Sequence, residues 1–290
     1  MRHPRLTADP RAWPAEAPPP GGPAVRGPAS GMPPLVAVAH GSADPRAAAT
    51  IEDLLDVVRA RARQRGLAGV DVRTAYLGHA PPSPAQVLGS LGAGRPAHAV
   101  LLPLLLTAAY HSKTDIPAIL SEARTSLPRL RVSYGEPIGP HPLLVSALER
   151  RLAEAAPLIG PLAGARDTAV VLAAAGSSDP AADAVITGIA GYWQAVRGWH
   201  AVVPAYASAA SPTPGEAVTS LLRSGAPRVV VATYLLAPGL FADQVRRASL
   251  AAGAAAVSGA LGAAPEIADI ILDRYTQAAA QSPQHAAATS

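Results

Sequence analysis

From Pro34 onward the chain alternates short apolar runs with longer segments whose apolar residues recur every three or four positions. Leu35-Val36-Ala37-Val38-Ala39 is continuously apolar, the pattern of a short strand covered on both faces. Residues 47–65 place Ile51, Leu54, Leu55 and Val58 at helical spacing, with Glu, Asp and Arg between them. The alternation continues with a strand over 70–77 and a helix over 83–91 that has Pro84 in its first turn. A strand over 100–106, a helix over 114–126, a strand over 131–134 and a helix over 142–155 complete the series. Strands separated by helices of this length predict a parallel sheet flanked by helices. Such sheets bind ligands at the carboxyl ends of their strands.

The pattern then repeats. Ala39-His40-Gly41-Ser42-Ala43-Asp44-Pro45 recurs as Ala174-Ala175-Gly176-Ser177-Ser178-Asp179-Pro180. Ala75-Tyr76 with Pro82-Ser83-Pro84 recurs as Ala205-Tyr206 with Pro212-Thr213-Pro214, and Leu105-Leu106 before His111 recurs as Leu235-Leu236 before Phe241. Order and spacing together identify a duplication. The expected fold is α/β, with two tandem domains, each a small parallel sheet of about four strands. The divisions read from the sequence are a leader over 1–33, a first domain over 34–155, a linker over 156–166, a second domain over 167–280 and a tail over 281–290. The leader holds nine of the 31 prolines and has no periodicity, so disorder is expected there. Met32, just ahead of the first strand, is a candidate translation start.

Composition narrows the chemistry. The 290 residues include no cysteine, which removes disulfides, thiolate metal sites and cysteine nucleophiles. A net charge of +4, without a basic stripe interleaved with aromatics, gives no support for nucleic-acid binding. The apolar run over 99–109 is too short to span a bilayer. With no signal-peptide core at the N-terminus either, a cytoplasmic location is expected.

His40 directly follows a buried strand and precedes Gly41, so it is placed at the mouth of the sheet. Its plainer reading is a buried histidine satisfied by a backbone carbonyl. A second imidazole, His111, lies beyond the third strand, just ahead of a helix start. Two neutral imidazoles over one crevice suit a borderline divalent ion, and two are too few for a closed structural site. Lys113 is the only lysine in a chain with 24 basic residues; it is either incidental or a compact cation for a substrate carboxylate. Ser42 and Asp44 either cap the following helix or orient His40, and capping is the reading adopted for Asp44 because Asp179 persists where the histidine is lost. Asp115 fits a helix N-terminus. His79, after the second strand, is a weaker candidate for the same mouth. His141 reads as a helix-start residue, whereas His3, His98, His200 and His285 have no motif context.

His40-Gly41-Ser42-Ala43-Asp44-Pro45, Tyr110-His111-Ser112-Lys113-Thr114-Asp115-Ile116-Pro117 and Gly135-Glu136-Pro137-Ile138-Gly139-Pro140-His141-Pro142 resemble signature blocks of the sirohydrochlorin chelatases, the class II chelatases of siroheme and cobalamin synthesis. The resemblance covers about residues 34–155 well and 167–280 more faintly, as in the long, duplicated form of that family. It implies insertion of Fe2+ or Co2+ into a polycarboxylate tetrapyrrole without an organic cofactor, the metal being a substrate. It also implies that His40 and His111 bind the ion and take up pyrrole protons, with Ser42, His79 and Lys113 as candidate substrate contacts. One departure stands out: family members often carry an acidic residue after the second strand, where this chain has Gly78 followed by His79. Ala175 and Phe241 occupy the second-half places of His40 and His111, so that half is expected to be a degenerate copy, closing the cleft or lending Arg246 or Arg247 to substrate carboxylates. The chain is then a monomer with pseudo-twofold halves or a homo-oligomer. A metal-delivery protein could use the same two histidines, but it has little need of a duplicated sheet around a large crevice. A histidine phosphatase also places His-Gly after its first strand, but it needs an Arg before the His, and Ala39 stands there. The choice between iron and cobalt is not written in these residues.

Overall fold

The structure is a computed structural model describing residues 31–93, 98–107, 115–155 and 165–281. The leader up to residue 30, most of the linker and most of the tail lie outside the described residues, as do His111 and Lys113.

The first half contains β1 (Leu35–Ala39), α1 (Pro45–Gln64), β2 (Val72–Tyr76), α2 (Pro84–Gly92), β3 (His98–Pro103), α3 (Asp115–Ser126), β4 (Arg131–Tyr134) and α4 (Pro142–Ala155). The second half runs β5 (Ala169–Ala174), α5 (Pro180–Arg197), β6 (Ala201–Tyr206), α6 (Pro214–Arg223), β7 (Val229–Tyr234), α7 (Leu240–Ala251), β8 (Ala256–Val257) and α8 (Pro265–Ala280). Each half forms one four-stranded sheet with all pairings parallel, in the orders β2-β1-β3-β4 and β6-β5-β7-β8. The central strands β1, β5 and β7 are buried along their whole length, as their unbroken apolar sequences require in a sheet covered on both faces.

Helix starts follow from local chemistry. The Asp44 carboxylate accepts from Arg46 N at 2.9 Å and Pro45 opens α1, so this helix begins two residues before the periodicity does. Ser83 and Gln86 form a reciprocal cap on α2, and Thr213 and Glu216 form the same cap on α6. Strand β3 ends at Pro103, not at Leu106 as its apolar run predicts. Leu104 N still donates to Val38 O at 2.8 Å, but the carbonyl of Leu105 turns to accept from Gly139 N at 3.1 Å.

The chain divides into two compact units, and their limits differ from those of the sequence repeat. One unit contains β1–β4 and closes at Gly139, then takes in the residues from Gly262 onward; the other contains residues 140–261. The two helices that end the halves are thus exchanged: α8 packs on α1, β3 and β4, whereas α4 packs on β7 and β8. Within the first unit, α8 buries Ile267, Ile270, Ile271, Leu272 and Tyr275. Arg65 binds Asp269 at 2.9 Å and Asp273 at 2.6 Å, and the Tyr275 hydroxyl donates to Pro33 O at 2.8 Å. Within the second unit, Glu149 on α4 accepts from Trp193 Nε1 at 3.0 Å and pairs with Arg197 at 2.6 Å, which ties α4 to α5.

At the amino end of the first sheet, far along β1 and β3 from the strand carboxyl ends, His98 Nδ1 accepts from Arg131 Nη2 at 2.9 Å. Its Nε2 then donates to Ser133 Oγ at 2.9 Å. Burial, with the Arg131 charge beside it, lowers the His98 pKa to about 4. An unfolded histidine titrates near 6.5, so the stability this neutral ring contributes is complete above about pH 6.5 and is lost as the pH falls toward 4. Because the ring is partly solvated, the expected loss is about 1–2 kcal/mol. Melting curves should show a smaller drop in Tm between pH 6.5 and 4 for His98→Gln than for the wild type; equal drops would remove His98 as the cause.

Candidate active site

The loops after β1 and β2 meet at the carboxyl end of the first sheet. Gly41 takes φ +88°, and a Cβ placed there would lie 1.8 Å from the Gly78 carbonyl oxygen. The loops after β1 and β2 are thus in backbone contact, continuing the ladder through Leu77 N to Ala39 O at 3.0 Å and Gly78 N to His40 O at 3.1 Å. A side chain at position 41 would have to force these loops apart, so Gly41→Ala should cost about 3 kcal/mol in chemical denaturation. Gly78→Ala is the control, because nothing lies within 4 Å of its added Cβ. Equal stability of the two variants would show that the loops yield freely.

This junction leaves His40 exposed at the end of buried β1. Its Nδ1 lies 3.1 Å from Gly41 O. A carbonyl only accepts, so Nδ1 is the donor in this contact, and in the neutral ring the lone pair is then on Nε2. The backbone-carbonyl partner and an outward-facing ring thus occur together, which the plainer sequence reading treated as alternatives. His79, also exposed, lies beside it: the two ring centroids are 6.3 Å apart with planes inclined by 24°.

Ser42 and Asp44 serve the turn into α1. Ser42 Oγ accepts from Asp44 N at 3.1 Å, and Asp44 also pairs with Arg46 at 2.6 Å, which with the backbone hydrogen bond holds its carboxyl below the usual range. Ser177 and Asp179 repeat this turn in the second half, so it is part of the duplicated framework. Asp115 lies in the first turn of α3. His141 Nδ1 accepts from Leu143 N at 3.1 Å, a helix-start role, and His98 is at the opposite end of the sheet. Arg246 reaches toward Val257 O at 3.5 Å, and Arg247 is exposed. The described residues therefore bring together His40 and His79. Among them no group of three His, Asp or Glu forms a closed metal cage.

The second sheet reproduces the junction without its imidazoles. Gly176 has φ +88°, an added Cβ would lie 1.9 Å from Ser208 O, and Ser208 N donates to Ala175 O at 2.9 Å. Ala175 and Ala209 replace His40 and His79, and Leu240 and Phe241, which open α7 after β7, are 73% and 41% exposed. This mouth presents methyl groups and apolar side chains.

A tandem parallel α/β framework with two exposed imidazoles at the mouth of one sheet and alanines at the equivalent places of the other defines a duplicated α/β protein whose halves differ at that mouth. The CbiX family model matches residues 34–155 and again 169–278, and the chain belongs to the CbiX family. It is 32% identical over 190 residues to the sirohydrochlorin ferrochelatase of Bacillus subtilis (strain 168), an alignment covering 64% of this chain and 70% of that one. It is 31% identical over 173 residues to the sirohydrochlorin cobaltochelatase of Priestia megaterium, covering 60% of this chain and 56% of that relative. Among solved structures, SirB from Bacillus subtilis with Fe3+ superposes with a TM-score of 0.71 at 25% identity, covering 86% of this chain and 96% of that one. No described helix is long and apolar enough to cross a membrane.

Proposed function

We propose that this protein is a sirohydrochlorin chelatase, inserting Fe2+ or Co2+ into that polycarboxylate tetrapyrrole, with His40 and His111 binding the ion and accepting the displaced pyrrole protons. The observation that carries this reading is the match of both halves to the CbiX family, with relatives named as metal chelatases of this one tetrapyrrole. The exposed His40 at the carboxyl end of β1 supports it at the level of chemistry. In the reaction a divalent ion exchanges for two N–H protons: four nitrogens end on the metal, and two protons leave through nearby bases to water. No electron moves, so the step asks for no redox or organic cofactor. A neutral imidazole suits both halves of the exchange, as a ligand before transfer and as a base during it. Relatives named for iron and for cobalt accord with imidazole donors, which separate these metals poorly. Lys113 is assigned to a substrate carboxylate, Ser42 chiefly to the turn it builds, and the reaction to the cytoplasm.

The experiment mixes the protein with sirohydrochlorin and anaerobic Fe2+, or with Co2+, and follows the visible spectrum. Metallation faster than the protein-free reaction is expected, with His40→Ala and His111→Ala slowed and His200→Ala unchanged. A rate equal to the spontaneous one with both metals would overturn the assignment.

A further inference from the structure

The loop after β2 holds His79 in a left-handed backbone conformation, φ 63°, where residues other than glycine are uncommon. The second half holds Ala209 at the same place with φ 60°. The surrounding hydrogen bonds also match. Tyr76 N donates to Pro82 O at 2.9 Å and Ala80 N to Gly78 O at 2.8 Å; Tyr206 N donates to Pro212 O at 2.9 Å and Ala210 N to Ser208 O at 2.7 Å. The loop therefore forms equally well around a methyl group, and folding does not call for an imidazole at position 79. What differs between the halves is the pair of side chains the loops display. In the first half both are imidazoles, with centroids 6.3 Å apart and planes inclined by 24°; in the second both are methyls, at Ala175 and Ala209. The first half carries both rings and the second carries neither.

We infer that His79 is a metal-handling residue that holds the incoming divalent ion jointly with His40. Two imidazoles sharing an ion at about 2.1 Å from each ligating nitrogen have ring centroids roughly 5.3 Å apart at a tetrahedral angle and about 6.5 Å apart at a linear one. The observed 6.3 Å is at the wide end of that range, and a turn of either exposed side chain brings the ring nitrogens onto one ion. Both rings are exposed, so an ion arrives from solvent without rearrangement of the core. With two protein nitrogens the coordination sphere stays open, and water or tetrapyrrole nitrogens complete it, which suits an ion that has to leave. Imidazoles in this arrangement favour Fe2+, Co2+ or Ni2+ over Mg2+ or Ca2+, which prefer oxygen ligands. That the ion then passes to a tetrapyrrole rests on the chelatase reading; that two rings bind it does not.

The test uses the full chain and Co2+ alone, with no tetrapyrrole, monitored by isothermal titration and by Co2+ visible absorption. His79→Ala places in this loop the residue that the second half already accommodates, so the fold is retained, and circular dichroism verifies it. Co2+ affinity is expected to fall about 10-fold or more in His79→Ala and in His40→Ala, with altered absorption in each. His200→Ala should leave both unchanged. Wild-type Co2+ affinity and absorption in His79→Ala would overturn the inference. If the titrations behave as expected while sirohydrochlorin is never metallated, the paired site stands and the chelatase reading falls.

Discussion

Replacing His40 by alanine is expected to lower the protein-dependent rate of sirohydrochlorin metallation about 100-fold or more, the usual worth of a positioned general base. The variant should lose this without losing its fold. His40 lies outside the core, and Ala175 occupies the equivalent place in the second sheet beside the same glycine turn. The denaturation midpoint should therefore shift little, which separates a chemical defect from a structural one. A His40→Ala protein that metallates sirohydrochlorin at the wild-type rate would end the assignment of the first mouth as the reacting one. The effect on half-saturation by metal is expected to be smaller than the effect on the rate, because His79 and His111 remain as candidate donors.

The second large effect concerns the helix at the far end of the chain. A protein ending near residue 160 contains every strand of the first sheet and both sequence-predicted histidines, yet it is expected not to fold. It lacks α8, whose Ile267, Ile270, Ile271, Leu272 and Tyr275 are buried in the first unit. At about 1.5–3 kcal/mol for each large side chain, their removal is of the same order as the roughly 5–15 kcal/mol net stability of a domain. The ion pairs of Arg65 with Asp269 and Asp273 go with them. Circular dichroism should show no cooperative melt for the truncated chain. Joining residues 262–281 to it through a long flexible linker should restore one. A truncated protein that melts at the full-length temperature would show that α8 is dispensable to the first sheet.

The sequence made some of this legible and hid the rest for physical reasons. Strands β1 and β4 and helix α4 fall where apolar runs and helical spacing put them, because periodicity reports burial directly. The duplication was visible because the Gly-Ser-x-Asp-Pro turn is fixed by backbone demands in both halves: a positive φ at Gly41 and Gly176, then an Asp cap. His40 could be placed at the mouth because it immediately follows a buried strand. The exchange of α4 and α8 left no local trace. Each is an amphipathic helix after a fourth strand, and nothing in such a pattern says which of two similar sheets it will cover. The place of His79 at the mouth was legible from its position after the second strand, but its ring-to-ring approach to His40 was not. That approach depends on a left-handed backbone at a residue other than glycine, and single-residue propensities point away from that conformation.

The contact between Arg65 and Asp273 spans 208 positions. On the ribosome, β1–β4 emerge early, but the surface meant for α8 stays bare while the whole second unit is being made. The first half to be synthesised is therefore the last to be finished. Long-range closure of this kind slows folding and leaves apolar surface open to stray association in the interval. In a living cell this protein's yield should depend on holdase chaperones more steeply than its final stability would indicate.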